Sequence, residues 1–271
     1  MSIQAAPSPE KSRRRHSAAL YEIVVPLLAT SAGFLVWEAI CRAFNVPAYL
    51  VPAPSDILKE TMAIGPTVLG HSLATLKTVL LGFVVSIAIS LPLAVLLTAS
   101  PAIASALYPF LVWTQSIPKV ALAPILVVVL GSNELPRIVI TVLVAFFPLV
   151  ISSATGLMSV PPELIELSRA CRASKWSELW RIRLPYAIPF IFAGLKVAIS
   201  LAVVGAVVAE FVNADSGLGF LIVTSTAFFK VPVAFGALII LSVMGVVLFQ
   251  IVVIVERVFF PWSTGNAMTG T

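Results

Sequence analysis

Long apolar runs, separated by short polar stretches, dominate the pattern of the chain. The first run extends from Ile23 to Phe44, and no charged residue occurs at 78–118, 138–162 or 231–255. A helix rises about 1.5 Å per residue, so roughly 20 apolar residues cross the hydrocarbon core of a bilayer. Each run is long enough for at least one crossing. The pattern therefore predicts an all-α membrane protein that crosses the bilayer several times.

The run at 78–118 is too long for one span, and it contains the turn signal Thr98-Ala99-Ser100-Pro101. We expect the second span to end there and the third to begin. The third span continues past Pro118 and Pro124 to about Leu130, and these prolines predict a kinked or broken helix. Three later runs complete six predicted spans, at about 138–162, 188–211 and 231–255.

Basic residues are distributed unevenly between the two sets of loops. With a cytoplasmic N-terminus, the cytoplasmic side holds Lys11, Arg13, Arg14, Arg15, Arg169, Arg172, Lys175, Arg181, Arg183 and Arg257. The external loops hold only Lys59, Arg137 and Lys230. This asymmetry follows the positive-inside rule, so the predicted protein has its N-terminus, 158–187 and its C-terminal tail in the cytoplasm.

The composition agrees with a membrane protein and excludes several other classes. Hydrophobic residues make up 59% of the chain and charged residues 11%, whereas soluble domains carry about 25% charged residues. The net charge of +5 is explained by the basic flanks and does not indicate nucleic acid. No phosphate-binding GxxxxGK[ST] loop, metal-ligand spacing or catalytic constellation occurs. We therefore expect no catalytic residues, no cofactor and no metal.

The chain divides into five predicted regions. Residues 1–20 are a basic cytoplasmic tail, 21–44 a peripheral first span, 45–67 an external loop, 68–257 a five-helix core and 258–271 a tail. Within the external loop, Ser55-Asp56 is expected to cap a short amphipathic helix that ends at Met62. Residues 11–36 also fit a twin-arginine signal peptide, but the apolar sequence continues far enough to favour a span.

Residues 163–185 are the only long polar stretch inside the chain, and they predict two short helices with a joint. In the first helix Leu164, Leu167 and Cys171 share one face. Ser174 is expected to cap the second helix and Pro185 to stop it. Its apolar face carries Trp176, Leu179 and Trp180. Two interpretations stay open: a helix pair lying on lipid headgroups, or an apolar face that docks into another protein.

This stretch resembles the cytoplasmic coupling loop of permease subunits in binding-protein-dependent ABC importers. The loop of that family reads Glu-Ala-Ala, three residues, Gly, nine residues, Ile, one residue, Leu-Pro. Here Glu166-Leu167-Ser168 stands at the first triplet, and Ile182, Leu184 and Pro185 stand at the end with the same spacing. Arg172 replaces the glycine that permits a tight joint, so it must adopt another backbone conformation or tolerate strain.

Other segments resemble the branch of that family that handles taurine, aliphatic sulfonates and nitrate. They are the loop at 50–55, the segment Gln115-Ser116-Ile117-Pro118 with 121 and 124–125, and Ala209-Glu210 followed by Gly217-Leu218-Gly219. The resemblance implies a type I permease of a bacterial inner membrane that imports a small, anionic solute. Pyrimidine-type vitamin precursors also remain open as substrates.

The resemblance also implies the partners and the coupling residues. Two copies of a separate ATPase subunit, an external substrate-binding protein and a second permease are the expected partners. The second permease is expected to be another copy of this chain, with a sister permease as the alternative. ATPase coupling is expected through Glu166, Leu167, Ser168, Arg169, Arg172, Ser174, Ile182, Leu184 and Pro185.

Charged groups inside spans are costly, so each is a candidate for function. We expect Gln115, Pro118 and Lys119 to line the translocation pathway, with Lys119 favouring an anionic solute. Lys196 is expected to reach the lipid surface or to line the inner gate. Glu210 lies near the outer gate, where it can also be a structural partner for backbone amides. A secondary transporter or channel is the alternative function, but no Asp, Glu or His relay occurs at mid-membrane.

Overall fold

Twelve α-helices make up most of the part of the chain that the computed structural model describes, residues 9–212 and 214–264. Asn213, which falls in a predicted loop, and the tail residues 265–271 lie outside the described residues. The helices are α1 Pro9–Ala43, α2 Pro54–Ala63, α3 Gly65–Ala99, α4 Pro101–Ser116, α5 Ala123–Leu130, α6 Glu134–Met158, α7 Pro162–Ala170, α8 Lys175–Glu178, α9 Leu184–Val212, α10 Leu218–Ala227, α11 Val231–Phe259 and α12 Pro261–Thr264. A 3₁₀ turn at Lys119–Leu122 precedes α5, and a π turn at Leu179–Arg183 precedes α9.

Five helices in the described residues are long and apolar enough to cross a membrane: α1, α3, α6, α9 and α11. A sixth candidate is the pair formed by α4 and the 119–130 segment, which is bent by 80°. The bend lies at Ile117-Pro118, as the prolines predicted, because proline lacks the N–H that would continue the helical hydrogen bonds. The all-α membrane fold is therefore confirmed, with six spans when the bent pair counts as one.

Helix α6 packs between α3 and α9, and small residues bring the three backbones close together. A Cβ atom at Gly156 of α6 would lie only 3.2 Å from the Cα of Ala187 in α9. The hydroxyls of Ser86 and Ser90 in α3 donate to the backbone oxygens of Val142 (3.4 Å) and Phe146 (3.2 Å) in α6. Close contact and interhelical hydrogen bonds are the forces that associate helices in lipid, which is itself apolar.

The two ends of this bundle carry different segments. We call the end with residues 159–183 the proximal end, and the end with residues 131–133 and 214–217 the distal end. A buried cluster at the proximal end includes Leu97 of α3, Leu157 of α6 and Ala187 of α9, and Leu179 packs against it. We call residues 163–185 the proximal segment. Through Leu179 it packs on the ends of three core helices.

Helix α1 is mostly exposed and is held at the edge by α2. The carboxyl of Glu38 accepts from the backbone N–H (3.0 Å) and the hydroxyl (2.7 Å) of Ser55. Arg42 pairs with both Glu38 (3.0 Å) and Asp56 (3.2 Å). The prediction that Ser55-Asp56 caps α2 is wrong: the N-cap is Ala53, which makes no side-chain cap. Glu38 of the neighbouring helix binds the free N–H instead.

Helix α1 begins at Pro9, inside the predicted tail, and three further predicted boundaries also differ from the structure. Helix α3 begins at Gly65, inside the predicted loop, because Pro66 is tolerated in a first helical turn. Helix α10 occupies part of the stretch after the fifth span, where a loop was predicted. Pro185 does not stop the second helix of the proximal segment, since 175–212 form one continuous helical stretch of 38 residues. The π turn before Pro185 shifts the hydrogen-bond register where its N–H is missing.

Candidate functional site

The joint in the proximal segment has the conformation that glycine normally provides. Arg172 follows the C-cap of α7 with φ 53°, in the left-handed region. The N–H of Ala173 donates to Ser168 O (3.0 Å) and the N–H of Arg172 donates to Arg169 O (2.9 Å). These two bonds form a Schellman motif, in which the left-handed residue is usually glycine. Arg172 was expected to adopt another backbone conformation or to tolerate strain. In the structure it keeps the left-handed conformation and is strained.

The second half of the proximal segment is fastened to the core. Ser174 accepts from the N–H of Ser177 (3.2 Å) and so caps α8, as its position in the sequence predicted. The guanidinium of Arg183 pairs with Glu178 (2.7 Å) and also donates to the backbone oxygen of Leu157 at the end of α6 (3.3 Å). This half of the segment is therefore bonded to the end of α6 and continues directly into α9.

The outer face of the proximal segment is apolar and uncovered. Leu167 is 60% exposed, and Trp176 and Trp180 are 68% and 53% exposed, with their rings in edge-to-face contact at 5.6 Å. Leu164, Cys171, Glu166 and Arg169 are exposed as well, so the predicted apolar face of α7 is not buried within the chain. Of the other predicted coupling residues, Ser168 is buried, Ile182 and Leu184 are half-buried, and Pro185 is exposed.

Lys119 lies at the bend between α4 and α5, half-buried, while Gln115 and Pro118 are exposed beside it. Its ammonium sits 4.8 Å from the centre of the Phe147 ring, a cation–π contact. Phe147 also lines an apolar cavity of about 200 Å³ between α3, α4 and α6, with Phe110 and Phe146 among its walls. The three predicted residues are thus together at the bend, where a cation adjoins aromatic surface.

Lys196 forms an ion pair that was not predicted, while its expected place at the inner gate or the lipid surface stays a prediction. Its ammonium forms an ion pair with Glu256 of α11 (2.5 Å), a residue that is only 4% exposed. The hydroxyl of Ser263 in α12 donates to the same carboxylate (3.0 Å). The sequence could not identify this pair, because Lys196 and Glu256 lie 60 positions apart and share no local pattern. Lys196 joins α9 to α11 in this structure.

Glu210 is 2% exposed at the distal end of α9, where it binds the start of α10. Its carboxyl oxygens accept from the N–H of Gly219 (2.8 Å) and from the hydroxyl of Thr75 in α3 (2.8 and 3.0 Å). The Thr75 oxygen in turn accepts from the N–H of Leu218 (2.8 Å), and Nδ1 of His71 accepts from Gly217 (3.0 Å). Of its two predicted roles, Glu210 has the contacts of a partner for backbone amides.

Arg137, in the first turn of α6, binds the segment that precedes α10. It is 7% exposed, donates to Ser216 O (3.3 Å) and lies 3.7 Å from the carboxylate of Asp215. The sequence assigned Arg137 to an external loop and gave no role to His71 or Thr75. Their spacing at i and i+4 on one face of α3 was the signal available for the last two.

Within the described residues, no group of three or more His, Cys, Asp and Glu side chains is placed to hold a metal. The arrangement of polar groups is instead one of paired contacts between helices. The Glu178–Arg183 pair, the Lys196 pair and the Glu210 contacts all involve residues of the continuous stretch 175–212.

Replacing Arg172 by glycine should stabilise the joint. A left-handed residue with a Cβ atom costs about 1 kcal/mol, which glycine avoids. Hydrogen exchange of the Ala173 amide, measured on peptides covering 162–174, should slow several-fold in Arg172→Gly. Arg169→Gly is the matched control, since position 169 is helical and glycine there should accelerate exchange by a similar factor. Faster hydrogen exchange in both variants would contradict the conclusion that Arg172 is strained at the joint.

Lys196→Met should lower the stability of the detergent-solubilised chain by about 3 kcal/mol, because it leaves Glu256 buried without its counter-ion. Thermal unfolding measures the change. Adding Glu256→Gln to the same chain should restore most of it. Lys77→Met is the control: its pair with Glu134 is more than half exposed on both sides and should contribute at most about 1 kcal/mol. An unchanged melting temperature in Lys196→Met would contradict a structural role for the pair.

Comparison with known proteins identifies the family. Residues 86–262 match the binding-protein-dependent transport system inner membrane component family. The formylaminopyrimidine transport permease protein ThiX of Halalkalibacterium halodurans is 32% identical over 89% of this chain and 97% of its own length. The riboflavin transport system permease protein RibX of Chloroflexus aurantiacus is 32% identical over 84% and 85%. The putative aliphatic sulfonates transport permease protein SsuC of Bacillus subtilis is 27% identical over 93% and 92%.

The fold is also similar to a solved importer. A structure of the MetNI methionine ABC transporter aligns with a TM-score of 0.61 and 21% identity, over 68% of this chain and 92% of the other. The family implies an ATPase and a substrate-binding protein as partners, with ATP hydrolysis outside this chain. The family match covers more than half of the chain, and the chain therefore belongs to the permease subunits of binding-protein-dependent ABC importers.

Proposed function

We propose that this permease is coupled to its ATPase through residues 163–185 and carries a small anionic solute of the sulfonate, taurine or nitrate type into the cytoplasm. The observation that carries the coupling proposal is the exposed apolar face of α7, which belongs to a segment whose Leu179 packs against the ends of α3, α6 and α9. A segment that is exposed on one side and fixed to the core on the other is suited to transmit force.

The charge of α7 favours a protein partner over lipid. Glu163 and Glu166 lie in the same helix as the exposed Leu164 and Leu167. Carboxylates are repelled by the anionic headgroups of a cytoplasmic leaflet, whereas an apolar stripe with flanking charges fits a groove on another protein. The face with Trp176 and Trp180 carries Lys175 and Arg181 nearby and is the part that suits headgroups. We therefore assign ATPase docking to α7.

The orientation and the assembly complete the proposal. The positive-inside distribution supports a cytoplasmic N-terminus and proximal end, with the distal end on the external side. The binding protein would then meet the distal end, and two ATPase copies would meet the proximal ends of two permeases. We propose that both permeases are copies of this chain. A secondary transporter would instead move solute without any ATPase.

Two observations bear on the solute. Lys119 places a cation at the bend of the broken helix, which supports an anionic solute, and SsuC is a relative of this kind. A planar heteroaromatic solute is the second candidate. Aromatic side chains wall the cavity beside Lys119, and the relatives that carry formylaminopyrimidine and riboflavin are 32% identical, against 27% for the sulfonate relative.

The docking proposal is tested by affinity purification of the tagged chain in mild detergent from its native membrane. The unchanged chain should bring down a stoichiometric protein with a phosphate-binding loop, and Leu167→Asp should lose at least about tenfold of it, because a buried carboxylate without a partner costs more than 1.4 kcal/mol. Leu58→Asp is the matched control, on the amphipathic α2, where the leucine is 63% exposed. Equal recovery of the ATPase in both variants would exclude α7 as the docking site.

The solute proposal is tested with the ligand that mass spectrometry identifies on the co-purified binding protein. In proteoliposomes containing the complete importer, Lys119→Met should slow uptake of an anionic ligand by about tenfold, while Lys119→Arg retains it. Unchanged uptake kinetics in Lys119→Met would show that Lys119 does not line the translocation pathway. A neutral heteroaromatic ligand on the binding protein would select the second candidate.

A further inference from the structure

The first three amides at the start of α10 are all bound by side chains from other helices. Gly217 N–H donates to His71, Leu218 N–H to Thr75 and Gly219 N–H to Glu210. The free N–H groups of a helix N-terminus usually find a local cap, but the N-cap here is Gly217, which has no side chain. Helix α10 is therefore capped by α3 and α9, and we call these three acceptors the distal clamp.

Glu210 is the centre of the distal clamp. Both of its oxygens are used, and Thr75 links it to Leu218 because the same hydroxyl donates to Glu210 and accepts from the amide. The segment approaches so closely that a Cβ atom at Gly217, whose φ is 119°, would overlap the Glu210 carboxyl group. Glu210 and Thr75 are buried, and all three amides are hydrogen-bonded, so opening the clamp would leave several polar groups without partners.

The distal clamp lies at the far end of the helical stretch that leaves the proximal segment. Residues 175–212 form one stretch of 38 residues, about 57 Å long at 1.5 Å per residue. Pro189 falls within the first turns of α9, so the helix is free of proline from 190 to Glu210. A displacement at the proximal end therefore reaches Glu210 through continuous helix that is closely packed on α6.

We propose that Glu210 is a positioning residue of the transport cycle: it fixes α10 to α9 and α3, so that α10 moves with them as one rigid unit. The distal segment around 215–219 then follows α9 and does not open as a separate flap. This inference rests on the proposed coupling through 163–185 for the source of the motion, but the rigidity of the clamp is independent of that source.

Distance measurements between two spin labels test the proposal. The labels are placed at Phe228→Cys, just after α10, and Met158→Cys, at the proximal end of α6, with Cys41→Ala and Cys171→Ser as background. Both labelled side chains are exposed, at 75% and 55%. The labelled chain is mixed with an excess of unlabelled chain, so that most permease pairs carry one labelled copy and only distances within that copy are measured. Pulsed electron paramagnetic resonance is recorded in nanodiscs, and then on the complex with the co-purified ATPase, without nucleotide and trapped with ATP and vanadate.

We expect one narrow distance distribution that is the same without nucleotide and after trapping. Glu210→Ala and the isosteric Thr75→Val should broaden it at least about twofold, because they release the amides of α10. Thr75→Ser keeps the hydroxyl and should restore the narrow distribution. Glu134→Gln, which alters an exposed carboxyl at the same end, should leave it narrow.

Two results would overturn the proposal. A shift on trapping that exceeds the width of the native distribution would mean that α10 moves separately from the core. Narrow distributions in both Glu210→Ala and Thr75→Val would mean that the clamp does not hold α10. Failure to recover any ATPase would contradict the proposed coupling, while the comparison of variants without nucleotide would still decide the role of Glu210.

Discussion

The close contact of α6 with α3 and α9 is the constraint on which the rest of the structure depends. Lipid is as apolar as the helices, so burial of apolar surface does not hold them together. They associate through backbone proximity, as at Gly156, and through hydroxyl bonds to backbone oxygens, as at Ser86 and Ser90. Because α9 is fixed in this way along its length, a segment attached to either of its ends is positioned by the same contact. The proximal segment and α10 are both attached in this manner.

Most of the buried charged groups serve connections between helices. Glu256 is paired with Lys196, Glu210 binds the start of α10, and Arg137 binds the segment that precedes α10. Such groups are expensive to bury away from water, and each of these has its partner on another element. Lys119 differs from them because it contacts the face of an aromatic ring and not a carboxylate. That difference, more than its position in a span, is the reason to retain it as a pathway residue.

The sequence predicted what depends on local signals. The apolar runs predicted the spans, Pro118 predicted the bend and Ser174 predicted the cap of α8. Each of these signals acts on residues close to it in the sequence. It could not predict the cap that Glu38 provides for α2 or the pair of Lys196 with Glu256, since those partners meet only after the helices have packed. The error at Pro185 has a different, local cause. A proline ends a helix only if nothing compensates for its missing N–H, and here a π turn does so.

The left-handed joint at Arg172 and the continuous helix 175–212 that follows it belong to the same connection between α7 and the core. Arg172 keeps the left-handed turn that glycine would supply, so the angle between α7 and the following helix is set by two backbone hydrogen bonds and not by side-chain packing. A left-handed residue with a Cβ atom is strained, so these two hydrogen bonds hold a conformation that glycine would adopt at a lower cost. If residues 163–185 couple the chain to an ATPase, as proposed, the joint and the continuous stretch 175–212 lie in series between α7 and the core.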